Sequence, residues 1–529
     1  MPIQLENLSP FELSLYLEKC HRKDKYLELL NVGRGNPNWT APVPREAFFL
    51  LGQFATQEIT IESSTLIGKK VKPSLGQVDR FFQFLDQHPS KGSQFLRNIW
   101  EEGEEFFGLP KEVWLTEIMD HLIGDNYPNP ERVLHGVKKP VKEYLNKELF
   151  SSQAAPFDIF AVEGGTAGIV YLFDSLVNNL LLNKGDKVAL MIPAFAPYLE
   201  IPKLPQYEFD VEYLESKPTL IDGKVSYQYS DDEINRLRNS DIKAVFLVNP
   251  SNPTANAIQD STIDLIVDII NTDNPNLMVL TDDVYGTFLE DFRSLFIAAP
   301  YNTACIYSYS KYFGSTGWRI GTVAVAKDNL FDQLLSEQSA DKKAFLYERY
   351  HSLSDNTEEI SFIDRMVADS RDVALNHAAG LSGPQQVMMT LFSLYSLLDT
   401  NGEYKKEVMA ICRERERILF DKLGIDQPYQ PLNTAYYCEI ELDYWMKERY
   451  GSDFSTYVTE NWTMSQLLES FAQSQGLILL RADGFGSSRW AVRISLANLN
   501  TDQYYQVGQR MIDQTALIYK EWTLLSKIH

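Results

Sequence analysis

A single lysine stands in a turn built from small and hydroxylated residues. Residues 307–321 read YSYSKYFGSTGWRIG, with Lys311 between Ser308 and Gly314 and with Arg319 eight residues after the lysine. Small residues let a backbone approach an anion closely, and hydroxyls and a guanidinium can bond its oxygens. A lysine held there can form a Schiff base with an aldehyde cofactor that carries a phosphate. An exposed basic loop would have the same composition, so the interpretation depends on the surrounding segments.

Those segments alternate between strand-like and helix-like patterns from about 158 to 326. The runs DKVALMIP, IKAVFLVNP, NLMVLTDD, ACIYSYS and IGTVAVA are short, apolar and rich in Val, Ile and Leu. Runs that are apolar on both faces predict a buried, mostly parallel sheet covered by helices. In such an α/β domain, ligands bind at the carboxyl ends of the strands. The residues that follow the runs are Gly164, Phe195, Asn249, Asp282 and Lys311.

A second candidate anion site is the turn EGGTAG at 163–168. The segment FDIFAVEGG predicts a strand that enters this turn, and TAGIVYLFDSLVNNLLL predicts a helix that leaves it over 166–182. Gly165 and Thr166 would then offer backbone N–H groups and a hydroxyl at a helix N-terminus, where the dipole favours an anion.

Composition limits the possible classes of protein. The chain has 529 residues and a formal net charge of −23, which disfavours DNA, RNA and anionic lipid as partners. Its four cysteines lack CxxC spacing, so we expect neither a disulfide framework nor a metal site. The N-terminal segment carries acidic residues early and does not resemble a signal peptide, and no apolar run is long enough to span a membrane. We therefore expect a cytoplasmic enzyme.

Taken in order, these segments resemble the fold-type I pyridoxal-phosphate enzymes of the aspartate aminotransferase class. The resemblance implies an α/β fold, with a mostly parallel central sheet in a large domain, a smaller α+β domain and helical insertions. It implies pyridoxal 5'-phosphate as the cofactor, with Lys311 as the catalytic residue that carries it. Gly165, Thr166, Ser308 and Arg319 would bind the cofactor's phosphate.

The resemblance also assigns the residues around the cofactor's ring. In IPAFAPY (192–198), Phe195 would stack on the pyridine ring. In NPSNPTAN (249–256), Asn252 would donate to the phenolic oxygen, although the chain has Thr-Ala where the family usually has Thr-Gly. In TDDVYGTF (281–288), Asp282 would pair with the pyridine nitrogen and Tyr285 would contact the phenolic oxygen. A carboxylate there keeps the nitrogen protonated, while Asp283 would face the other side of the strand.

Three further residues are assigned to the substrate and to a partner subunit. Arg493 in WAVRISLA (490–497) resembles the arginine that binds the substrate's α-carboxylate, and its planar fork suits a two-point contact. Arg34 in NVGRGNPNW (31–39) lies in a segment similar to the loop that covers the substrate. Tyr127 lies in a segment similar to the one that reaches the neighbouring subunit's phosphate. We therefore expect at least a homodimer.

The chain resembles the aspartate 4-decarboxylases of this family in three features, which are its length, its two polar helical segments and Arg34. That resemblance implies conversion of L-aspartate to L-alanine and CO2, with aspartate aminotransferase side activity and a higher assembly of dimers such as a dodecamer. Lys311 would act as general base at Cα. The α-carboxylate should be firmly paired and the β-carboxylate should not, because an ion pair would stabilise the ground state of the leaving group. Arg34 would then orient the substrate or pair with its α-carboxylate.

The resemblance also implies a division of the chain into six segments. We expect an N-terminal arm with a substrate-covering loop over 1–52 and a cofactor-binding large domain over 121–327. Helical insertions for assembly or for covering the site are expected over 53–120 and 328–380. A return helix of the large domain would follow over 381–404 and a C-terminal small domain over 405–529.

Three alternatives remain open at this point. A plain aminotransferase for aspartate, alanine or an aromatic amino acid would share every cofactor residue. A transcription regulator with an aminotransferase-like domain would carry a basic N-terminal DNA-binding domain, which the acidic N-terminus disfavours. A non-catalytic assembly protein would lack the lysine, and Lys311 is present.

Overall fold

The computed structural model describes residues 5–21, 27–61, 67–102, 107–221, 223–374, 379–426 and 430–526. The strands are β1 (Leu30–Asn31), β2 (Phe157–Val162), β3 (Lys187–Ile192), β4 (Asp210–Glu215), β5 (Lys217–Ile221), β6 (Lys224–Gln228), β7 (Ile242–Val248), β8 (Met278–Asp282), β9 (Thr303–Ser308), β10 (Gly321–Ala326), β11 (Tyr437–Glu441), β12 (Leu477–Ile478), β13 (Leu480–Arg481) and β14 (Ala491–Ser495).

The helices of the first half of the chain include those that alternate with strands β2–β8. They are α1 (Pro10–His21), α2 (Pro42–Glu58), α3 (Gln77–Gln87), α4 (Lys91–Glu102), α5 (Lys111–Ile123), α6 (His135–Glu148), α7 (Gly165–Asn178), α8 (Ala196–Glu200), α9 (Asp231–Asn235) and α10 (Asp260–Thr272). The helices that follow are α11 (Leu295–Ala298), α12 (Leu330–Ser336), α13 (Ala340–Tyr350), α14 (Phe362–Ala374), α15 (Gly383–Leu398), α16 (Glu403–Leu423), α17 (Leu442–Tyr450), α18 (Ser452–Asn461), α19 (Met464–Gln475) and α20 (Gln503–Leu525).

A seven-stranded sheet with the order β2-β10-β9-β8-β7-β3-β4 forms the centre of the molecule. Strand β10 runs antiparallel to both of its neighbours, and the other pairs are parallel. The predicted α/β fold with a mostly parallel sheet is confirmed. Because the central strands are covered on both faces, their residues are almost all buried, as in β8 and β9.

Helix α7 differs in length from the sequence-based expectation. The apolar pattern predicts a helix to residue 182, whereas α7 ends at Asn178. Asn179 caps it, and Leu180 adopts a left-handed backbone with φ of 57°. A left-handed residue cannot continue a right-handed helix, so the last three leucines leave the helix, and Leu181 and Leu182 join the core.

The C-terminal part of the chain forms a smaller antiparallel sheet, β11-β14-β13, with Glu439 opposite Arg493 in register. Strand β1 near the N-terminus pairs with β12 in this part, which joins the beginning of the chain to its end. Among the residues described, no helix combines the length and the apolar character needed to cross a membrane.

Candidate active site

The ends of neighbouring strands bring the predicted residues to one edge of the central sheet. Asp282 ends β8 and Ser308 ends β9, while Phe195 follows β3 and Asn252 follows β7. A cavity of about 1150 Å³ opens at this edge. Its walls contain the predicted residues Arg34, Gly165, Thr166, Phe195, Asn252, Asp282, Tyr285, Ser308, Lys311, Arg319 and Arg493. Tyr127 does not line it; this side chain is 72% exposed.

One end of the cavity is suited to a phosphate. Helix α7 starts at Gly165, so its first N–H groups face the cavity without a side-chain cap. Gly164 has a φ of 92°, and a Cβ there would lie 2.6 Å from a guanidinium nitrogen of Arg319. Glycine therefore allows Arg319 to pass close to the helix start. Arg319 donates only to backbone carbonyls in the described part of the chain, those of Thr316 and Glu163.

Asp282 lies at the bottom of the cavity and is fully enclosed. Its Oδ1 accepts from the backbone N–H of Val284 at 3.1 Å. Its pKa is raised to about 7, chiefly by burial; the Val284 hydrogen bond and Lys311 act against this shift, and the neighbouring Asp283 acts with it. The buried Tyr198 hydroxyl lies near the Asp282 carboxylate and acts against the rise in its pKa. A cation placed against Asp282 would remove the cost of its buried charge.

Asp283 points away from the cavity. Its carboxylate accepts from the hydroxyls of Thr281 and Ser294 and from the Cys305 thiol. Asp283 is absent from the cavity walls, and burial raises its pKa to about 6. The two adjacent aspartates therefore have different environments, as alternation along a strand requires.

Arg493 in β14 is a buried guanidinium without an acidic partner. It is 5% exposed and lies between the rings of Tyr437 and Phe485, with its Cζ 4.5 and 4.7 Å from their centroids. It donates to the Asn252 side chain at 3.2 Å and to the Gly33 carbonyl. No carboxylate among the described residues pairs with it, and its Nε has no partner there. Such a group is suited to bind an anion that enters the cavity.

The loop over 33–39 reaches Lys311. Lys311 Nζ donates to the Gly35 carbonyl at 3.2 Å, and the Tyr436 hydroxyl donates to the same oxygen at 2.9 Å. A Cβ on Gly35 would lie 2.4 Å from the Tyr437 hydroxyl, so only glycine fits there. The Trp39 indole nitrogen donates to the Tyr312 carbonyl and so fixes the loop's other end beside the lysine turn.

Tyr436 and Tyr437 were not identified from the sequence. Their segment, YYCEIEL, predicted only a strand, because adjacent tyrosines at the start of a strand are also typical of a buried core. In the structure the Tyr437 hydroxyl lies 2.9 Å from that of Tyr285, and Tyr437 lines the cavity. No sequence signal distinguished the two tyrosines from ordinary core residues.

Arg34 lines the mouth of the cavity but is already paired. Its guanidinium contacts a Glu18 carboxylate oxygen at 2.7 Å, and its side chain is 56% exposed. Glu18 belongs to α1, whose residues Ser14 and Leu15 also line the cavity. In this conformation, Arg34 joins the covering loop to α1.

These residues fit pyridoxal phosphate. The start of α7 with Arg319 and Ser308 would hold the phosphate, and Asp282 would hold the pyridine nitrogen. Asn252 and Tyr285 lie where they would contact the phenolic oxygen, and the Asn252 amide nitrogen donates to no residue that the structure describes. Arg493, whose Nε has no partner among the described residues, is the buried polar group that the carboxylate of a substrate would satisfy.

Comparison with known proteins agrees with this geometry. Residues 158–510 match the family described as Aminotransferase class I and II. A bifunctional aspartate aminotransferase and L-aspartate beta-decarboxylase from Pseudomonas sp is 41% identical over 528 residues, covering 99% of this chain and 98% of the relative. An aspartate aminotransferase from Pyrococcus horikoshii is 26% identical over 42% of this chain and 54% of its own length.

Solved structures show the same fold at lower identity. A double mutant of Thermus thermophilus aspartate aminotransferase superimposes with a TM-score of 0.59 at 13% identity, covering 96% of both chains. A putative kynurenine aminotransferase from Saccharomyces cerevisiae gives 0.58 at 15% identity, also with 96% of both chains covered. The family model matches more than half of the chain, and the Pseudomonas relative matches nearly all of it, so the family can be assigned. The chain belongs to the class I and II aminotransferase family, whose cofactor is pyridoxal phosphate.

Proposed function

We propose that this protein removes the β-carboxylate of L-aspartate as CO2 and releases L-alanine, with aspartate aminotransferase activity as a side reaction. An amino-acid substrate is supported by the environment of Arg493. This guanidinium is buried, pairs with no acidic side chain among the described residues, and lines the same cavity as Lys311. The choice of decarboxylation is supported by the 41% identical relative, whose name states both activities.

Asp282 and Arg493 bind the cofactor and the substrate, and Lys311 transfers a proton. Pyridoxal phosphate, when bound, supplies an electron sink for the carbon atoms of the amino acid. Asp282 holds the pyridine nitrogen in its protonated form, and Arg493 fixes the α-carboxylate by a two-point contact. Lys311 takes the proton from Cα and holds it for return. The loop over 33–39 contacts Lys311 through Gly35 and narrows the access of water.

The β-carboxylate needs a site without a strong cation. The basic side chains that line the described cavity are those of Arg34, Lys311, Arg319 and Arg493. Arg493 and Arg319 are assigned to the α-carboxylate and the phosphate, and Arg34 is paired with Glu18. An unpaired β-carboxylate loses CO2 more readily, because an ion pair would stabilise the charge that has to disappear. We propose that Arg34 orients the substrate through the covering loop.

We further propose the arrangement that the family resemblance implies at larger scale. The six segments bounded at residues 52, 120, 327, 380 and 404 would serve as arm, first insertion, large domain, second insertion, return helix and small domain. Tyr127 would reach the cofactor phosphate of the neighbouring subunit in a homodimer, and dimers would assemble further, as in a dodecamer. The enzyme would act in the cytoplasm.

One incubation tests the activity. The protein is supplied with pyridoxal phosphate and L-aspartate but no keto acid, and alanine and CO2 are followed by NMR and mass spectrometry. We expect many equivalents of both per subunit, and none from Lys311→Ala. At most one equivalent of oxaloacetate without CO2 would identify a plain aminotransferase instead. Borohydride reduction followed by peptide mapping should place the cofactor on Lys311, and a label on another lysine would contradict the assignment.

A further inference from the structure

Loss of CO2 from the substrate requires a proton donor for Cβ, and none of the residues assigned so far has this role. The bond between Cβ and its carboxylate carbon breaks, CO2 leaves, and the bonding electron pair remains on the Cβ side. That carbon must gain one proton to become the methyl group of alanine, so one proton is consumed for each CO2 released. This inference rests on the proposed decarboxylation.

Few groups in the cavity can donate a proton. No histidine or cysteine is among the described residues that line it, and the ionisable side chains other than arginines are Glu200, Asp282, Tyr285, Lys311 and Tyr437. Glu200 is an exposed residue of α8, and Asp282 faces the position assigned to the pyridine nitrogen. Tyr285 is assigned to the phenolic oxygen. Lys311 and Tyr437 remain.

Tyr437 is placed beside the reacting carbons. A methyl group on Gly35 would lie 2.4 Å from the Tyr437 hydroxyl and 3.6 Å from Lys311 Nζ, so both groups face one small space. The ring of Tyr437 supports the Arg493 guanidinium, with 4.5 Å from Cζ to the ring centroid. A substrate whose α-carboxylate is bound by Arg493 therefore extends past this ring, and its Cα must be within reach of Lys311.

We propose that the Tyr437 hydroxyl donates the proton to Cβ. The O–H bond of Tyr437 breaks as the new C–H bond forms at Cβ, and the phenolate oxygen then regains a proton through the Tyr285 hydroxyl, 2.9 Å away. Water that enters the open cavity after alanine leaves replaces that proton. Lys311 is thereby reserved for Cα.

The variant Tyr437→Phe separates this role from a structural one. It keeps the ring under Arg493 and removes only the hydroxyl. In a single turnover with excess enzyme, quenched at intervals, the wild type should form CO2 and alanine together. The variant should release CO2 at least tenfold faster than it forms alanine, and steady-state alanine production should fall about 100-fold, the usual contribution of one acid–base group.

The matched control is Tyr436→Phe, which removes the neighbouring buried hydroxyl, whose partner is the Gly35 carbonyl. It should show no delay between CO2 and alanine. Alanine that forms as fast as CO2 in Tyr437→Phe would assign the proton to Lys311 and overturn the proposal. An equal slowing of both products would make Tyr437 a structural residue and would also overturn it.

A second measurement does not depend on turnover. Calorimetry with maleate, a dicarboxylate that does not react, should give Kd values within threefold for wild type and Tyr437→Phe, each loaded with cofactor. A much weaker Kd in the variant would show that the hydroxyl serves binding, against the proposal. If the wild type itself releases no CO2 from aspartate, the proposed function fails, and that result is distinct from every outcome in the variant.

Discussion

At the scale of single residues, the arrangement of charge is the main feature of the site. Arg493 and Asp282 are both buried, and neither has an oppositely charged partner among the described residues in the manner of a structural ion pair. Burial lowers the pKa of Arg493 and raises that of Asp282, so each group is in an environment that disfavours its charge. A protein retains such groups when a ligand supplies the opposite charge, and here a carboxylate and a pyridinium would do so.

Arg493→Lys tests the carboxylate contact. The change keeps the positive charge and removes the planar fork, so one charge-assisted hydrogen bond is lost, worth about 1.5–3 kcal/mol. We expect kcat/KM for aspartate to fall roughly 10- to 100-fold while the cofactor stays bound. Steady-state kinetics and absorbance measure the two quantities. Arg489→Lys is the control, because Arg489 pairs with Glu439 and lies outside the cavity walls. An unchanged kcat/KM in Arg493→Lys would remove this residue from the substrate site.

Asp282→Asn tests the buried carboxylate through the pH dependence of stability. The pKa of Asp282 is about 7 in the folded cofactor-free protein and would be near 3.8 in the unfolded chain. The folded state therefore keeps a proton that the unfolded state loses, and stability falls as pH rises from about 4 to about 7. At about 1.4 kcal/mol per pKa unit, the full loss is on the order of a few kcal/mol.

The asparagine variant cannot ionise, so its free energy of unfolding relative to that of the wild type should rise between about pH 4 and about pH 7 and level off above that range. Denaturant unfolding of both cofactor-free proteins at each pH measures this difference. Asp283, Glu416 and Glu439 also have raised pKa values, but they titrate in both proteins and cancel in the comparison. A difference that does not change with pH would mean that Asp282 is not held in its protonated form.

At the scale of elements, the polar helices after β10 are tied by hydrogen bonds to α7, the helix that starts at the cavity. Asp369 of α14 is buried and accepts from Ser175 of α7 at 2.8 Å. It also accepts from Tyr350 and, at 2.8 and 3.0 Å, from the Arg349 guanidinium of α13. The C-terminal part of α7 is thus held by the second predicted insertion, while its N-terminus faces the cavity.

Removal of the Asp369 carboxylate should lower the free energy of unfolding far more than removal of the exposed Asp372 carboxylate. Asp369→Ala removes the acceptor of two buried hydroxyls and one of the two acids that pair with the Arg349 guanidinium, so we expect a loss of about 3–5 kcal/mol in unfolding free energy. Asp372→Ala removes the other acid on Arg349, at 2.9 Å, but this side chain is 71% exposed. That change should cost less than about 1 kcal/mol. Chemical denaturation of both variants measures these losses in unfolding free energy. Equal losses would refute the role of Asp369 in holding α7 to the helices after β10.

At the scale of the whole molecule, one predicted cofactor residue lies apart from the rest. Tyr127 is exposed and does not contribute to the cavity of its own chain. The other predicted residues line that cavity. This separation is what a residue donated to a neighbouring subunit would show in a single chain.

Hybrid subunits test this arrangement. Tyr127→Phe chains are co-expressed with Lys311→Ala chains, and mixed dimers are purified by two different tags. If Tyr127 serves the partner's site, one site of each hybrid carries both defects and the other carries neither. Aspartate turnover should then exceed that of either parent and approach half of the wild-type rate per dimer. Turnover no higher than that of the Tyr127→Phe parent would mean that each site is built within one chain.

The sequence by itself determined the fold class and the order of the site's segments. Apolar runs such as β7 and β8 can be recognised because strands covered on both faces exclude polar residues, and the turn around Lys311 can be recognised because anion binding needs small residues. Most of the predicted cofactor residues follow directly after such strands. Their position at one edge of the sheet was expected because the carboxyl ends of parallel strands meet there, and their roles were assigned from the family resemblance.

Only the tertiary structure decided which side chains outside these runs join the site. Tyr437 and Gly35 are 402 positions apart and meet because β1 pairs with β12, which brings the covering loop to the small antiparallel sheet. Arg34 turned toward Glu18 for the same kind of reason, since α1 packs beside that loop. Local patterns report burial and backbone geometry, but the partner of a side chain depends on contacts between distant segments, which no short window of sequence contains.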